Sequence, residues 1–348
     1  MLAYVVRRFL WAIVLLLTIT GITYVIFFTI PQERTRALRT QDRGVVDVRA
    51  ALGVKGPIYR QYAQFVWHLA HGNMGRSFRT RQDVNKLIGQ AAPVTASLVF
   101  GGAIVWLLIA LPLGILSAIR PRSLIDRVAT LFVLLGVSLH PVWIGLAFGY
   151  FFGYRLHWFP LQGYCDIASP PPGASCGGPV QWAYHLVLPW FTFAAVFAAL
   201  YVRMIRASVT EALSEDYVRT ARAKGMSEAR VLRRHALRNA ILPVVSMLGM
   251  DIGVAMGGAL FVEQVYGLPG LGRLALRGLR GLDLPIILGV VLVLTTAIVL
   301  FNLVIDLVYG LLDPRVRLSG GVESEDRAAQ KAARPQPRKA GAVTSPTS

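Results

Sequence analysis

Asp251 is the residue whose type and setting bear most directly on chemistry: a carboxylate inside an otherwise apolar run from Ile241 to Val262. At about 1.5 Å per residue it falls roughly 15 Å into that run, near the middle of a bilayer. A charge at that depth is expensive unless it is hydrated or paired, so it should face a cavity or a neighbouring helix. Two roles fit. The carboxylate lines a passage and meets a cargo molecule or its amino terminus, or it makes a structural hydrogen bond across a subunit interface. Asp306 lies near the end of the last apolar run, where pairing or snorkelling suffices. Cys165 and Cys176 are the only cysteines and bracket a Pro- and Gly-rich stretch. If that stretch faces an oxidising exterior they form a disulfide; otherwise they are two unrelated thiols. His68 and His71 lack a nearby carboxylate or thiol and read as a surface pair, so no metal site is expected.

Other arrangements imitate chemistry without its essential parts. Gly267 to Gly272 has the glycine spacing of a phosphate-binding loop, but Arg273 and Leu274 stand where Lys and Ser/Thr are needed. Gly270, Gly272 and Ala275 mimic a dinucleotide fingerprint, yet no predicted strand precedes them. There is no HExxH, no GxSxG and no cluster of metal ligands, so the chain is expected to be no enzyme and to hold no cofactor of its own. Arg273, Arg277 and Arg280 instead predict a short basic helix, either a gate or receptor contact or simply a solvated face.

The elements that must position these residues are membrane helices. Hydrophobic residues make up 55% of the 348 and charged residues 16%, the balance of a membrane protein. The net charge of +18 sits in short segments between apolar runs, which argues for membrane topology and against nucleic acid. The reading is an all-α membrane protein with about six spans, near Phe9–Ile30, Val94–Ile119, Val128–Gly153, Leu186–Val202, Ile241–Val262 and Pro285–Leu311. The first is too long for a signal peptide and lacks a small-residue cleavage site, so it is an uncleaved anchor. Arg120, Arg122 and Arg127, and the Arg-rich insert after the fourth span, are cytoplasmic by the positive-inside rule. Both termini then lie in the cytoplasm, in a plasma or inner membrane. Residues 31–93 fall outside despite their own basic excess, since a segment of roughly 60 residues is at the edge of that rule.

The expected organisation is an anchor helix over 1–30, an extracytoplasmic segment over 31–93, a core over 94–317 and a disordered cytoplasmic tail over 318–348. Within 31–93, Ile58 to His71 and Asp83 to Gln90 have helical rhythm. They form either a cap that touches a delivery protein or a brace for the first two spans. Glycine recurs at every fourth position at Gly145, Gly149 and Gly153, and again at Gly249, Gly253 and Gly257. Such faces let helix backbones approach closely in lipid.

The insert over 207–240 carries Arg219, Arg222, Lys224, Arg230, Arg233, Arg234 and Arg238. Tyr217, Ala221 and Gly225 at i, i+4 and i+8 predict a short helix with one close-packing side, ended by Gly225. Ser227 is placed to cap a second helix running to Asn239. A helix–Gly–helix hairpin under the membrane suits the docking of a soluble motor.

These residues carry a resemblance. The tract from Glu215 to Gly225, EDYVRTARAKG, and the HALRNAILP that begins at His235 resemble the cytoplasmic coupling loop of ABC-importer permeases of the dipeptide, oligopeptide and nickel type. Arg219-Thr220-Ala221 stands where the wider family starts with Glu-Ala-Ala. Gly257 to Leu274, Asn302 to Arg317 and the opening MLAYVVRRFLWAIVLLL are similar to further stretches of its B-type subunit. The resemblance implies a type I permease fold and half of a translocation pathway for peptides. It assigns ATPase coupling to Glu215, Asp216, Tyr217, Arg219, Thr220, Ala221, Arg222, Ala223, Lys224 and Gly225. The implied partners are a homologous second permease, two ATP-binding subunits that hold ATP and Mg, an extracytoplasmic solute-binding protein and membrane lipid. Nickel or another small solute is the alternative cargo. An ion-coupled secondary transporter is a further alternative, but only one mid-membrane charge appears. The glycine faces would then slide or rock as well as pack.

Overall fold

The structure, a computed structural model, describes residues 2–29, 58–168, 176–281 and 283–312. The tail, residues 30–57 and the side chains of His68 and Asp306 lie outside the described residues. The chain runs as α1 (Leu2–Thr29), α2 (Ile58–Ala70), α3 (Val84–Ile119), α4 (Leu124–Ser138), α5 (Pro141–Phe148, prolonged by a π-helical Gly149–Arg155) and α6 (Pro179–Ser214). It continues as α7 (Asp216–Ala223), α8 (Glu228–Val231), a π-helical Leu232–Ala236, α9 (Leu237–Val265), α10 (Leu271–Gly281) and α11 (Leu284–Leu312). An isolated bridge between Arg76 and Asp83 is the only extended pairing among the described residues.

All-helical architecture follows from the solvent that the composition implies, because in hydrocarbon every backbone amide must be satisfied within its own segment. Among the described residues four helices are long and apolar enough to cross a membrane, or five if α4 and α5 count as one span; Phe9–Val25 within α1 is a shorter apolar stretch. The expected boundaries need several corrections. Val84–Ile119 is one helix of 36 residues, so the short helix expected over Asp83 to Gln90 is the start of the second span. The third span is broken: α4 and α5 meet at 110°. The break is local chemistry, since Pro141 excludes its predecessor from helical conformation and His140 is extended, at φ −73° and ψ 142°. His140 then accepts from the Val142 amide to start the new helix. α6 also reaches Ser214, well beyond the fourth apolar run.

The core gathers α3, α6 and α9 around Trp106, Phe193, Tyr201, Val202 and Val262. Trp106 stacks on Phe197 with ring centroids 4.6 Å apart. Small residues let these helices close, though only partly those that the every-fourth spacing singles out. A Cβ on Gly249 would lie 2.7 Å from Ile305 Cγ2 and one on Gly253 3.0 Å from Ile298 Cγ2, so this pair seats α11 on α9. Gly145 lies against Thr192 and Tyr266. Gly149 and Gly153 instead face Leu161 of the following loop, because the π-helical turn rotates them off the expected face. Gly257 meets nothing within 4 Å in this chain. Tight seams that the spacing did not mark are at Gly102 against Phe193, Gly114 against Ile205 and Gly136 against Ala199.

Gly249→Ala should therefore lower the melting temperature of the detergent-solubilised chain, at a cost of about 1–3 kcal/mol for overpacking. Gly257→Ala should leave the isolated chain unchanged, and equal melting of the two variants would contradict the α9–α11 seam.

Candidate functional site

At one end of the bundle the chain leaves α6 at Ser214, forms α7, turns, and re-enters through α8 toward α9. Gly225 makes the turn with φ +75°, and its amide donates to the Arg222 carbonyl at 2.9 Å. Only glycine takes that backbone conformation freely. Arg222 reaches across the turn to Glu228 with two nitrogens, at 2.9 and 3.1 Å, joining the two arms. Arg219 pairs with Asp216 at 3.5 Å.

The packed side of α7 differs from the expected one. Val218 and Ala221 are buried with Val231 against Leu213 and Met226. Tyr217 is exposed and Gly225 has open space around it. Of the stripe Tyr217, Ala221 and Gly225, only Ala221 faces inward, because the packing positions are i and i+3 from Val218. Glu215, Asp216, Arg219, Thr220, Arg222, Ala223 and Lys224 are all exposed. The hairpin thus holds itself to the bundle by small apolar contacts and turns its charges outward.

The second helix also departs from expectation. Ser227 begins it, without a side-chain cap, but it does not stop at Asn239. Through the π-helical Leu232–Ala236 it passes directly into α9, forming a helical run from Glu228 to Val265 of 38 residues. Ala236 is fully buried at the join. Asp251 sits midway along α9. Its Oδ2 is buried and has no hydrogen-bond partner, and the hydroxyl of Tyr201 is in the same condition. The two groups lie within electrostatic reach of one another but outside hydrogen-bond geometry. Around them α9 leaves Met250, Val254 and Phe261 exposed, a stripe that also contains Gly257.

The opposite end of the bundle holds a residue that sequence reasoning passed over. Glu263, the last acid of α9, is 0% exposed. Thr95 Oγ1 donates to its Oε1 at 2.6 Å and the Arg273 amide to its Oε2 at 2.9 Å. The same Thr95 oxygen accepts from the Leu271 amide at 2.8 Å. This carboxylate explains the glycines that imitate a phosphate loop: a Cβ on Gly270 would sit 2.2 Å from Glu263 Oε1, and one on Gly272 2.5 Å from Leu260 Cα. They make room for an internal acid. Arg273 opens the predicted basic helix but turns back, its Nη1 donating to the Gly267 carbonyl at 2.5 Å, while Arg277 and Arg280 are exposed. Asp283 is caged in the same way by Ser77 Oγ at 2.5 Å and by the amides of Phe78 and Arg79. A Gly followed by an acid and a Pro-Gly-rich turn was the available signal for Glu263, but nothing in its spacing shows that Thr95 would reach it.

Near these groups, Cys165 and Cys176 are joined in a disulfide, and Cys165 Sγ lies 3.4 Å from His185 Nδ1. Among the described residues no group of three or more His, Cys, Asp or Glu could hold a metal ion. His71 packs its ring on Trp67, with centroids 4.6 Å apart.

The result is a hairpin with outward charges set on a helix that continues through the bundle. Residues 110–318 match the binding-protein-dependent transport system inner membrane component, and residues 1–99 match the N-terminal region of such membrane components. The chain belongs to that family. It is a multi-pass membrane permease subunit of an ABC importer, a transport component and no enzyme. Membership implies the usual importer assembly of permease, ATP-binding and solute-binding components. Among its relatives, the probable D,D-dipeptide transport system permease protein DdpB of Escherichia coli K12 is 35% identical over 334 residues, covering 91% of this chain and 98% of the relative. A putative peptide permease protein of Brucella suis is 34% identical, covering 92% and 100%. The dipeptide transport system permease protein DppB of Escherichia coli K12 is 32% identical, covering 91% and 99%.

The permease hairpin gives a direct prediction. Gly225→Ala meets no steric neighbour, so its cost is the left-handed backbone alone, about 1–2 kcal/mol. Gly225→Asn should restore much of that loss. Proteolysis of the purified permease should show faster cleavage in the hairpin for the alanine variant than for the asparagine one; identical rates would show that the turn does not depend on φ.

Proposed function

We propose that this permease forms half of a translocation pathway for short peptides and that the hairpin over 214–231 receives the force of ATP hydrolysis. Peptide cargo is supported by relatives named as dipeptide, D,D-dipeptide and peptide permeases that match over nearly their whole length. The observation that carries the mechanism is the join between the hairpin and α9. A push on α7 is passed through Val218, Ala221 and Val231 into α8, and from there along one helical run to Asp251. In this reading the exposed cations of the hairpin face an ATP-binding subunit on the cytoplasmic side, and six spans would put both termini on that side. A solute-binding protein delivers cargo to the opposite end, near α10 and the Ser77–Arg79 turn that packs on Asp283.

Asp251 is the group on this route that a passing solute would meet. Its unpartnered oxygen and the Tyr201 hydroxyl are enclosed in this arrangement, and parting α6 from α9 between states would open them to a hydrated or ammonium-bearing cargo. The open stripe of Met250, Val254, Gly257 and Phe261 is where the second permease closes the pathway. A glycine in mid-stripe allows a partner backbone to come close. Inward- and outward-open states are two arrangements of these packed helices, and nucleotide biases one over the other.

The test is uptake of a labelled dipeptide by the complete importer in proteoliposomes. Val218→Asp puts a charge into the seat of the hairpin, and such an unpaired buried charge costs about 3–5 kcal/mol. Uptake should be lost while the chain still inserts and the ATP-binding subunits keep their basal hydrolysis. Asp251→Asn should assemble normally and transport poorly. Unaltered uptake in the first variant would overturn the coupling route, and in the second would remove any role for that charge.

A further inference from the structure

Between the hairpin-side ends of α3, α4 and α6 lies a cavity of about 870 Å³ that the transport route does not use. Its lining is mainly apolar, with Ala129, Val133 and Val202 inside and exposed Leu134 at the mouth, and it carries Arg203 and Arg206. The volume is that of a small-molecule site. The layout follows the sequence of α6: Arg203 is the first charged residue after an uncharged stretch from Pro179 to Val202, so the cavity straddles the boundary between hydrocarbon and headgroup.

The two arginines differ. Arg206 is pinned by Asp126, Nη2 to Oδ2 at 3.0 Å, and that carboxylate also accepts from Ser117 and the Arg122 amide. Arg203 is exposed, and no described acid pairs with it. Glu211 also lines the cavity but lies two turns further along α6, about 12 Å at 1.5 Å per residue, too far to neutralise it. An unpaired guanidinium beside an apolar chamber calls for an anion with a hydrophobic body. The neighbouring face of α4 is a stripe of exposed Leu124, Val128, Leu131 and Leu135, a surface made for acyl chains. It lacks the open glycine that marks the corresponding stripe on α9.

We propose that this cavity binds the headgroup and upper acyl chain of an anionic phospholipid, with Arg203 on the phosphate and Val133, Leu134 and Val202 along the chain. Basic pockets between membrane helices take anionic headgroups in this way. The ligand braces α4 against α6 at the end where the hairpin is attached.

The experiment uses the complete importer in nanodiscs of equimolar phosphatidylglycerol and phosphatidylcholine, with lipid retained after mild detergent extraction counted by native mass spectrometry. Phosphatidylglycerol should be enriched on the wild type and on Arg203→Lys. Arg203→Gln should reduce that enrichment about fivefold, the factor set by about 1 kcal/mol per basic side chain near an anionic surface. Ala207→Trp, which fills the lining, should abolish it without altering assembly. Excess inorganic phosphate should not displace the lipid. Equal retention of the two lipids, or enrichment indifferent to Arg203 and Ala207, overturns the proposal. Displacement by inorganic phosphate would mean a soluble anion is the ligand, and enrichment seen only without the second permease would mean that subunit covers the site; either result also overturns it.

Discussion

The structure depends on the continuity of one helical run, from Glu228 through the π-helical turn at Leu232–Ala236 to Val265. Each feature of functional interest hangs on it. One end is clamped to α7 by Val231 and by the ion pair of Arg222 with Glu228. The middle carries Asp251, and the far end carries the caged Glu263. Two irregularities interrupt its ladder, the π turn and Pro243. Both are tolerable in this setting because neighbouring helices can satisfy or shield the freed carbonyls. Ala236, fully buried against the core, wedges the first of them in place. Under the proposed coupling route, a run of this length that is held at both ends by polar contacts would move as a lever, since interdigitated cores do not deform continuously.

Its buried acids divide according to what they do. Asp126, Glu263 and Asp283 sit at the two ends of the bundle, each surrounded by hydroxyl and amide donors from other segments. They fix the α3–α4 turn, the α9–α10 turn and the start of α11, and a fully satisfied buried carboxylate specifies geometry strongly. Asp251 alone among these is left with an unpartnered oxygen, in the stretch where desolvation costs most. A group kept in that condition suits a role in which a visitor supplies the missing partner.

Much of this was legible in the sequence because membrane physics is coarse. Apolar runs marked α3, α6, α9 and α11, and the basic insert marked the hairpin and its glycine turn. What escaped was decided by contacts across the fold. The kink between α4 and α5 was written in His140-Pro141, yet hydropathy averages over a proline. The packed face of α7 escapes the i, i+4, i+8 spacing of Tyr217, Ala221 and Gly225, because the seat is made by Val218 with Ala221 and by Val231 from the other arm. The run Gly267–Gly272 resembled a nucleotide loop because glycine signals only close approach, and the sequence does not say to what; the structure puts Glu263 there. Likewise, every-fourth spacing found Gly249 and Gly253 but misassigned Gly149 and Gly153, since a π turn shifts the register by which faces are counted.

The most direct test of the lever is a distance measured along it. Spin labels placed at Thr220→Cys on the hairpin and Gln264→Cys at the far end of α9 report on the run itself, with Cys165 and Cys176 held in their disulfide and unlabelled. A third label at Leu131→Cys on α4 reports its motion against the rest. Pulsed electron–electron resonance on the complete importer, nucleotide-free and trapped with nucleotide, should show the 220–264 distance unchanged and narrow while the 131–264 distance shifts. A 220–264 distance that changes or broadens with nucleotide would mean that the π turn is a hinge, and that force entering the hairpin does not reach Asp251 as the rigid run requires.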